Sequence, residues 1–444
     1  MGAHTTGTED ILGGRALPTL LRFAAPIILG NIFQQLYNVV DAVVVGKYLG
    51  DLPLSGISVA TPMLDIFNAL ILGGSIGVGV LAAQLCGAGE LDRLKRTHAT
   101  ALLGGGALTL LLSLLGILLG DAVLSAQGTE AAVRAEAMDY LGIVLGGLIC
   151  CFVYNYYAAM LRSCGDSRTP FFILLVSSVL HAGLDVLLAG VLQLGVRGVA
   201  CSTVLCQLFS ALWCLLHCEK KCAPLALRRG ELRFEPRLAR LALSFAWAAA
   251  LQQAVVCIGR FLIQGMLSPL GTSAVTGYNM GMRVEAFMLC LSQGVSAGAV
   301  VCISQCFGHG DAPRVRRFHA LGLAVQLTLG LGIGTVCCFF PRQIIGLFSD
   351  NAEVIAAGVR YTGFMSYIYI FSCLGESIQG FFRGIGRLRL TMIASLLQIV
   401  LRVTLSSLLI PRWGIPGICV SVATGWCLLV LIEGSYSIKA AQNI

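Results

Sequence analysis

Residues 75–98 read SIGVGVLAAQLCGAGELDRLKRTH, and residues 296–319 read SAGAVVCISQCFGHGDAPRVRRFH. Adding 221 to the numbers of Ser75, Gly77, Gln84, Gly87, Gly89, Glu90, Arg93, Lys95, Arg96 and His98 gives Ser296, Gly298, Gln305, Gly308, Gly310, Asp311, Arg314, Arg316, Arg317 and His319. Each position keeps its identity or its charge. The same offset carries Tyr140 and Gly142 onto Tyr361 and Gly363, and Arg162, Gly165 and Arg168 onto Arg383, Gly386 and Arg389. A period near half the chain is too long for a solenoid, whose units run about 20–50 residues. It marks a duplicated domain.

Composition identifies the solvent. Hydrophobic residues make up 57% of the chain and charged residues 12%, against about 25% charged in soluble domains. Twelve apolar stretches are long enough for a hydrocarbon core of ~30 Å, which takes ~20 helical residues. They lie at 17–45, 54–84, 98–119, 132–161, 169–190, 196–217, 238–267, 273–305, 319–340, 353–382, 390–410 and 415–437. The expected fold is all-α and integral to the membrane, with twelve transmembrane helices in two pseudo-symmetric six-helix lobes, 1–218 and 241–444. A polar linker at 219–240, with Pro224, Gly230, Pro236 and seven Lys/Arg, joins them. A β-barrel would instead show alternating segments of about ten residues.

Lys and Arg gather after the even-numbered spans, at Arg93 to Arg96, Arg162 to Arg168, Lys220 to Arg240, Arg314 to Arg317 and Arg383 to Arg389. The positive-inside rule places those connections and both termini in the cytoplasm. Six spans per half is an even number, so the repeat is parallel. The net charge of +8 is that cytoplasmic fringe, and no nucleic-acid partner is expected.

Most of the eighteen cysteines fall inside apolar spans, where Cys behaves as a small hydrophobe. Two groups have ligand types, Cys214, His217, Cys218 and Cys222, and Cys302, Cys306 and His309. One helical face rarely gives zinc its tetrahedron, so packing is the expected role and no metal centre or cofactor is predicted. The phosphate loop G-x-x-x-x-G-K-[ST] and the zinc motif H-E-x-x-H are both missing from the sequence. The chain is read as a non-enzyme whose work is driven by an ion gradient.

The charges inside the spans carry the chemistry. A carboxylate at the bilayer centre costs at least ~2.5–3.5 kcal/mol, so each is a functional candidate. Asp41 lies deep in span one, and Asp185 lies in span five with His181 one turn earlier on the same face. Asp65, Arg260, Arg283, Glu285 and Glu376 lie in spans two, seven, eight, eight and ten. Glu285, Glu376 and Arg260 are candidates for the substrate cavity; the alternatives are that Arg283 and Glu285 balance each other or Glu376, and that Arg260 neutralises Glu376. The Asp41 and Asp185 carboxylates suit a proton, or equally Na⁺ with nearby amide and hydroxyl oxygens.

Pro26, the run Gln34-Gln35-Leu36-Tyr37-Asn38-Val39-Val40-Asp41 with Val45-Gly46, and the Gln84-x-x-Gly87-x-Gly89 helix ends resemble the multidrug and toxic compound extrusion (MATE) family of the MOP superfamily. Arg283-Val284-Glu285 after Tyr278-Asn279-Met280 resembles its bacterial MepA-like and DinF-related branch. The resemblance covers essentially the whole chain. It implies a monomeric, multi-pass exporter in the bacterial cytoplasmic membrane that expels cationic amphipathic or aromatic small molecules by antiport with H⁺ or Na⁺. Alternating access of the two lobes would drive the export. The ion-coupling residues it implies are Asp41, Asp185 and a sixth-span hydroxyl, Thr203, with Ser202 as neighbour. Tyr37, Tyr140 and Asn155 would line the first-lobe cavity, and the kink at Pro26 would respond to the ion. Where the branch often has Asn this chain has His181, which tilts the expectation towards protons. Other branches place an acidic site in the second lobe, where Glu376 stands 221 residues beyond Asn155. The alternatives are a lipid-linked oligosaccharide flippase, for which Arg260, Arg283 and Arg402 supply cations, and a membrane enzyme using His181 and Asp185.

The two copies also differ. The first spans align through Gln34-Gln35 and Gln252-Gln253 at an offset of 218, which sets Asp41 opposite Gly259 and Pro26 opposite Ser244. At the later offset His181 faces Arg402 and Asp185 faces Ser406. The scaffold is doubled, and the predicted coupling site is not.

Overall fold

The computed structural model describes the backbone of residues 6–347 and 351–444, and their side chains except at residues 6, 37–43, 229, 268, 272 and 273. Among the described residues helices make up nearly all of the chain and there is no strand. The helices are α1 (Thr6–Gly13), α2 (Ala16–Tyr48), α3 (Asp51–Ala88), α4 (Leu91–Ala126), α5 (Ala131–Gly146), α6 (Leu148–Ser163), α7 (Arg168–Asp185) and α8 (Gly195–Lys221). After the linker come α9 (Pro236–Gly265), α10 (Thr272–His309), α11 (Ala312–Phe339), α12 (Pro341–Gly346), α13 (Ala352–Gly384), α14 (Leu388–Trp413) and α15 (Ile415–Gln442). Among the described residues eleven helices are long and apolar enough to cross a membrane, and α5 with α6, bent by 46°, supplies a twelfth span. The bend falls at Gly147, where a Cβ would meet the Val204 side chain at 2.4 Å. The chain is a multi-pass membrane protein with the expected twelve-span architecture.

The duplicated glycines have a physical cause. Gly89 (φ 73°) and Gly310 (φ 82°) are left-handed, a conformation that costs a residue with a Cβ. Each closes its helix in the same way. Gly89 N–H donates to Cys86 O and Glu90 N–H to Leu85 O, while Gly310 N–H donates to Phe307 O and Asp311 N–H to Cys306 O. These are Schellman ends, which satisfy carbonyls the helix itself leaves open. The next residue shows where the copies part. Asp311 caps α11 by accepting from the Arg314 amide at 3.0 Å. Glu90, one methylene longer, instead pairs with the Arg93 side chain at 2.9 Å.

The chain forms two compact units. Unit 1 comprises residues up to Glu9 and Ile32–Ala254, and unit 2 comprises Asp10–Asn31 and Val255–Ile444. In unit 1, α3 packs on α5 and α6 around Leu81, Leu85, Leu145, Tyr156 and Met160, all nearly inaccessible. In unit 2, α13 packs on α10, α11 and α15 around Tyr361, Met365, Tyr369 and Ile418.

Small residues bring in the first helix of each copy. In unit 1 a Cβ at Gly73 or Gly77 would strike α9 backbone at Ala249–Ala250 or Phe245–Ala246. In unit 2 a Cβ at Gly294 or Gly298 would strike α2 at Ile28 or Ala24. Such close backbone approach is how membrane helices associate without a hydrophobic drive. These contacts keep an offset near 222 through the first helices, so the offset of 218 read from the paired glutamines is a correction. Pro26 is matched by a position near Ala248 rather than by Ser244. The non-proline counterpart remains.

Candidate functional site

In unit 1, α7 and α8 pack against one another and enclose four polar side chains. Asp185 and Ser202 are fully buried and His181 is nearly so. His181 Nδ1 lies 2.7 Å from Asp185 Oδ2, as the i, i+4 spacing anticipates. His181 Nε2 lies 3.1 Å from Thr203 Oγ1, and that hydroxyl donates to the Val199 carbonyl at 3.0 Å. With its proton committed to Val199, Thr203 is placed to accept from the imidazole. An imidazole facing a carboxylate at one nitrogen and an acceptor at the other suits two N–H groups, the arrangement of a cation. Ser202 Oγ donates to Asp185 Oδ1. The sequence reading ranked Thr203 first, and the structure gives Ser202 the direct contact with the carboxylate and Thr203 the contact with the histidine.

Local backbone breaks the helix at this point. Directly after Asp185, residues Val186–Val191 wind as a π-helical turn, which accommodates one extra residue and often accompanies function. Gly190 in that turn lies against the Tyr48 ring, where a Cβ would sit 3.2 Å from ring atoms. Val45, Ala189 and Val199 form a small buried cluster with Tyr140 packed on it. These three are each about one turn from residues 41, 185 and 203. The turn carrying residue 41 therefore comes to the same place as the π turn and α8. The side chains of Tyr37 and Asp41 themselves lie outside the described residues.

Asn155 turns its amide to the Cys151 carbonyl at 2.9 Å. Pro26, inside α2, lacks the N–H that would bond to Arg22, and it sits between the Gly298 and Gly294 contacts at Ala24 and Ile28. Asp65 lies on an exposed face of α3. The cysteine clusters form no group fit for a metal among the described residues. Cys86 and Cys164 instead meet each other at 3.3 Å.

In unit 2 the charges find partners other than those the open alternatives offered. Glu376 pairs with Arg383 at 3.2 Å, not with Arg260. Glu285, nearly buried, accepts from the Tyr361 hydroxyl at 2.6 Å, and no ion pair joins it to Arg283 among the described residues. Arg260 and Arg283 are exposed. Sequence reasoning missed Arg383 as a partner and Glu433 altogether. Glu433 is fully buried on α15, within hydrogen-bonding reach of Gln379. Its signal was a lone carboxylate inside the last apolar stretch.

The linker docks on the start of α4. Lys95 Nζ lies 3.9 Å from Glu231 and Arg96 3.6 Å from Glu235, and Leu225 is buried. The backbone N–H of Arg228 donates to Glu231 Oε2. That hydrogen bond, with Lys95 nearby, holds the Glu231 carboxyl below its ordinary range.

The family model described as MatE matches the chain twice, at 26–187 and 248–408. The two matches start 222 residues apart, in agreement with the glycine contacts. Among curated proteins the chain is similar to the probable multidrug resistance protein YoeA of Bacillus subtilis, 24% identical over 82% of this chain and 80% of that one. It is similar to the FAD transporter of Shewanella oneidensis, 25% identical over 76% and 75% of the two chains. It is also similar to the multidrug export protein MepA of Staphylococcus aureus, 20% identical over 93% and 90%. Among solved structures, the outward-facing conformation of a multidrug resistance MATE family transporter of the MOP superfamily superposes with a TM-score of 0.92. It covers 99% of each chain at 16% identity.

Proposed function

The chain belongs to the MatE family, and from that premise we propose that it is a secondary active exporter of cationic amphipathic or aromatic small molecules, driven by antiport with H⁺ or Na⁺. The observation that carries the reading is the buried His181–Asp185–Ser202–Thr203 cluster beside the π turn of α7. The names of its relatives, multidrug resistance and multidrug export proteins, support the substrate class.

The cluster can change its charge without changing its packing. With one proton on the imidazole, the His181–Asp185 pair carries a net negative charge. With a second, it becomes a closed ion pair with no net charge. Two serine and threonine oxygens beside a carboxylate also suit a hard cation. Either cation removes negative charge from a site that desolvation makes sensitive to it. Antiport then requires that the ion and the drug favour different states, or exclude each other. Pro26 supplies a weak point in α2 at which such a preference can act.

The test is efflux of a fluorescent organic cation from everted vesicles, with pH and Na⁺ gradients imposed separately. One of the two gradients should drive export, and Asp185→Asn should abolish the driven component at unchanged protein abundance. Driven export that survives the substitution would sink the assignment.

A further inference from the structure

Unit 2 holds a cation that the first-unit site does not use. At the repeat offset, the places of His181 and Asp185 on α7 are taken by Arg402 and Ser406 on α14. Arg402 is 8% exposed, and its Nε and Nη2 have no hydrogen-bond partner. Ser406 Oγ, one turn on and fully buried, has none either. Arg402 takes part in no ion pair among the described residues. A guanidinium cannot shed its charge, so two buried N–H groups without a protein partner call for an outside acceptor. Arg402 and Glu285 lie within electrostatic reach of the same groups, Tyr278 and Tyr361. Those two rings meet edge to face at 5.1 Å, and Glu285 is held by the Tyr361 hydroxyl. The interior of unit 2 thus offers an unpaired planar cation, an aromatic pair and a carboxylate.

We propose that Arg402 is the anion-recognising residue of a binding site inside unit 2, where it takes the carboxylate of zwitterionic aromatic substrates. Its fork matches a carboxylate with two parallel hydrogen bonds, while Tyr278 and Glu285 suit the aromatic, cationic remainder. The duplicated scaffold then recognises opposite charges at equivalent places, a cation at Asp185 and an anion at Arg402. The inference rests on the export reading above and narrows its substrate class.

A matched pair of dyes tests it, rhodamine B with its free carboxylate and the ethyl ester, which is a plain cation. Efflux of both is measured in vesicles holding the full chain, as wild type, Arg402→Gln and Arg402→Lys. Wild type should export both dyes. Arg402→Gln should lose export of the acid by roughly thirty-fold or more while keeping that of the ester within about two-fold. Retained ester export also shows that the variant folds. If Arg402→Gln fails to accumulate, Arg402→Lys carries the test, since an ammonium keeps the charge without the fork and should weaken export of the acid alone. Equal loss for both dyes, or no loss for either, would assign Arg402 to structure or to water and overturn the proposal. Wild-type export of the ester alone would overturn it and leave the export reading standing. Export of neither dye would overturn both.

Discussion

His181 and Asp185 were legible as a pair because helical spacing and polarity in an apolar span are both visible in a sequence. What they bind was not, because it depends on α8 lying alongside α7. Adjacent residues Ser202 and Thr203 point their hydroxyls at different partners, and spacing alone cannot say which reaches the acid. The geometry separates them experimentally. Ser202→Ala leaves Asp185 Oδ1 without its donor, a loss worth about 1–3 kcal/mol for a buried group. It should lower thermal stability and weaken driven efflux. Thr203→Val keeps the shape and removes the nearer of the two hydroxyls facing His181 Nε2, at 3.1 Å against 3.5 Å for Ser202, so its effect should appear in the pH profile of efflux more than in the melting temperature. Identical profiles for Thr203→Val and wild type would remove Thr203 from the site. Asp41 was equally legible, and the cluster of Val45, Ala189 and Val199 gives the structural reason to test Asp41→Asn beside Asp185→Asn.

At the level of elements, the helix ends were read correctly from glycine, whereas glycines inside helices were not separable by eye. Gly142 and Gly363 are equivalent in the repeat, and nothing lies within 4 Å of a Cβ at either. Gly147 is not part of the repeat signature, yet a Cβ there would strike Val204. Gly147→Ala should therefore cost about 1–3 kcal/mol through overpacking at the α5–α6 bend. Gly142→Ala should be neutral or stabilising by up to ~1 kcal/mol, because it only removes chain freedom. Thermal unfolding in detergent compares the two directly. The linker gives a pH prediction. Glu231 has a lowered pKa, so its anchoring is fully present above the ordinary carboxylate range and is lost as pH falls through the lowered value. Hydrogen exchange at the Arg228 amide, corrected for intrinsic rate, should be flat near neutrality and rise only in acid. Glu231→Gln should raise it at neutral pH.

For the whole molecule, the doubling and the twelve spans followed from composition and a single offset, because a bilayer leaves few ways to satisfy a backbone. The second-unit charges were harder. Glu376, Arg383, Glu285 and Arg402 were all visible, but partners in a bundle are set by which helix faces meet: Glu285 on α10 meets the Tyr361 hydroxyl of α13, whereas Glu376 and Arg383 pair two turns apart on α13 itself. The register of the first spans also misled, since Gln34-Gln35 and Gln252-Gln253 match as letters while the glycine contacts at Gly73, Gly77, Gly294 and Gly298 fix a different frame.

That frame has a consequence for how the protein is made. Unit 1 is not finished when residue 218 leaves the ribosome, because Phe245–Ala250 still has to arrive at Gly73 and Gly77. Residues 10–31, synthesised well before the rest of unit 2, must wait for Gly294 and Gly298 before their own unit exists. A chain cut in the linker should therefore yield two fragments that are each degraded when made alone and protected when made together. The order of translation, and not only the finished packing, therefore makes each half depend on the synthesis of the other.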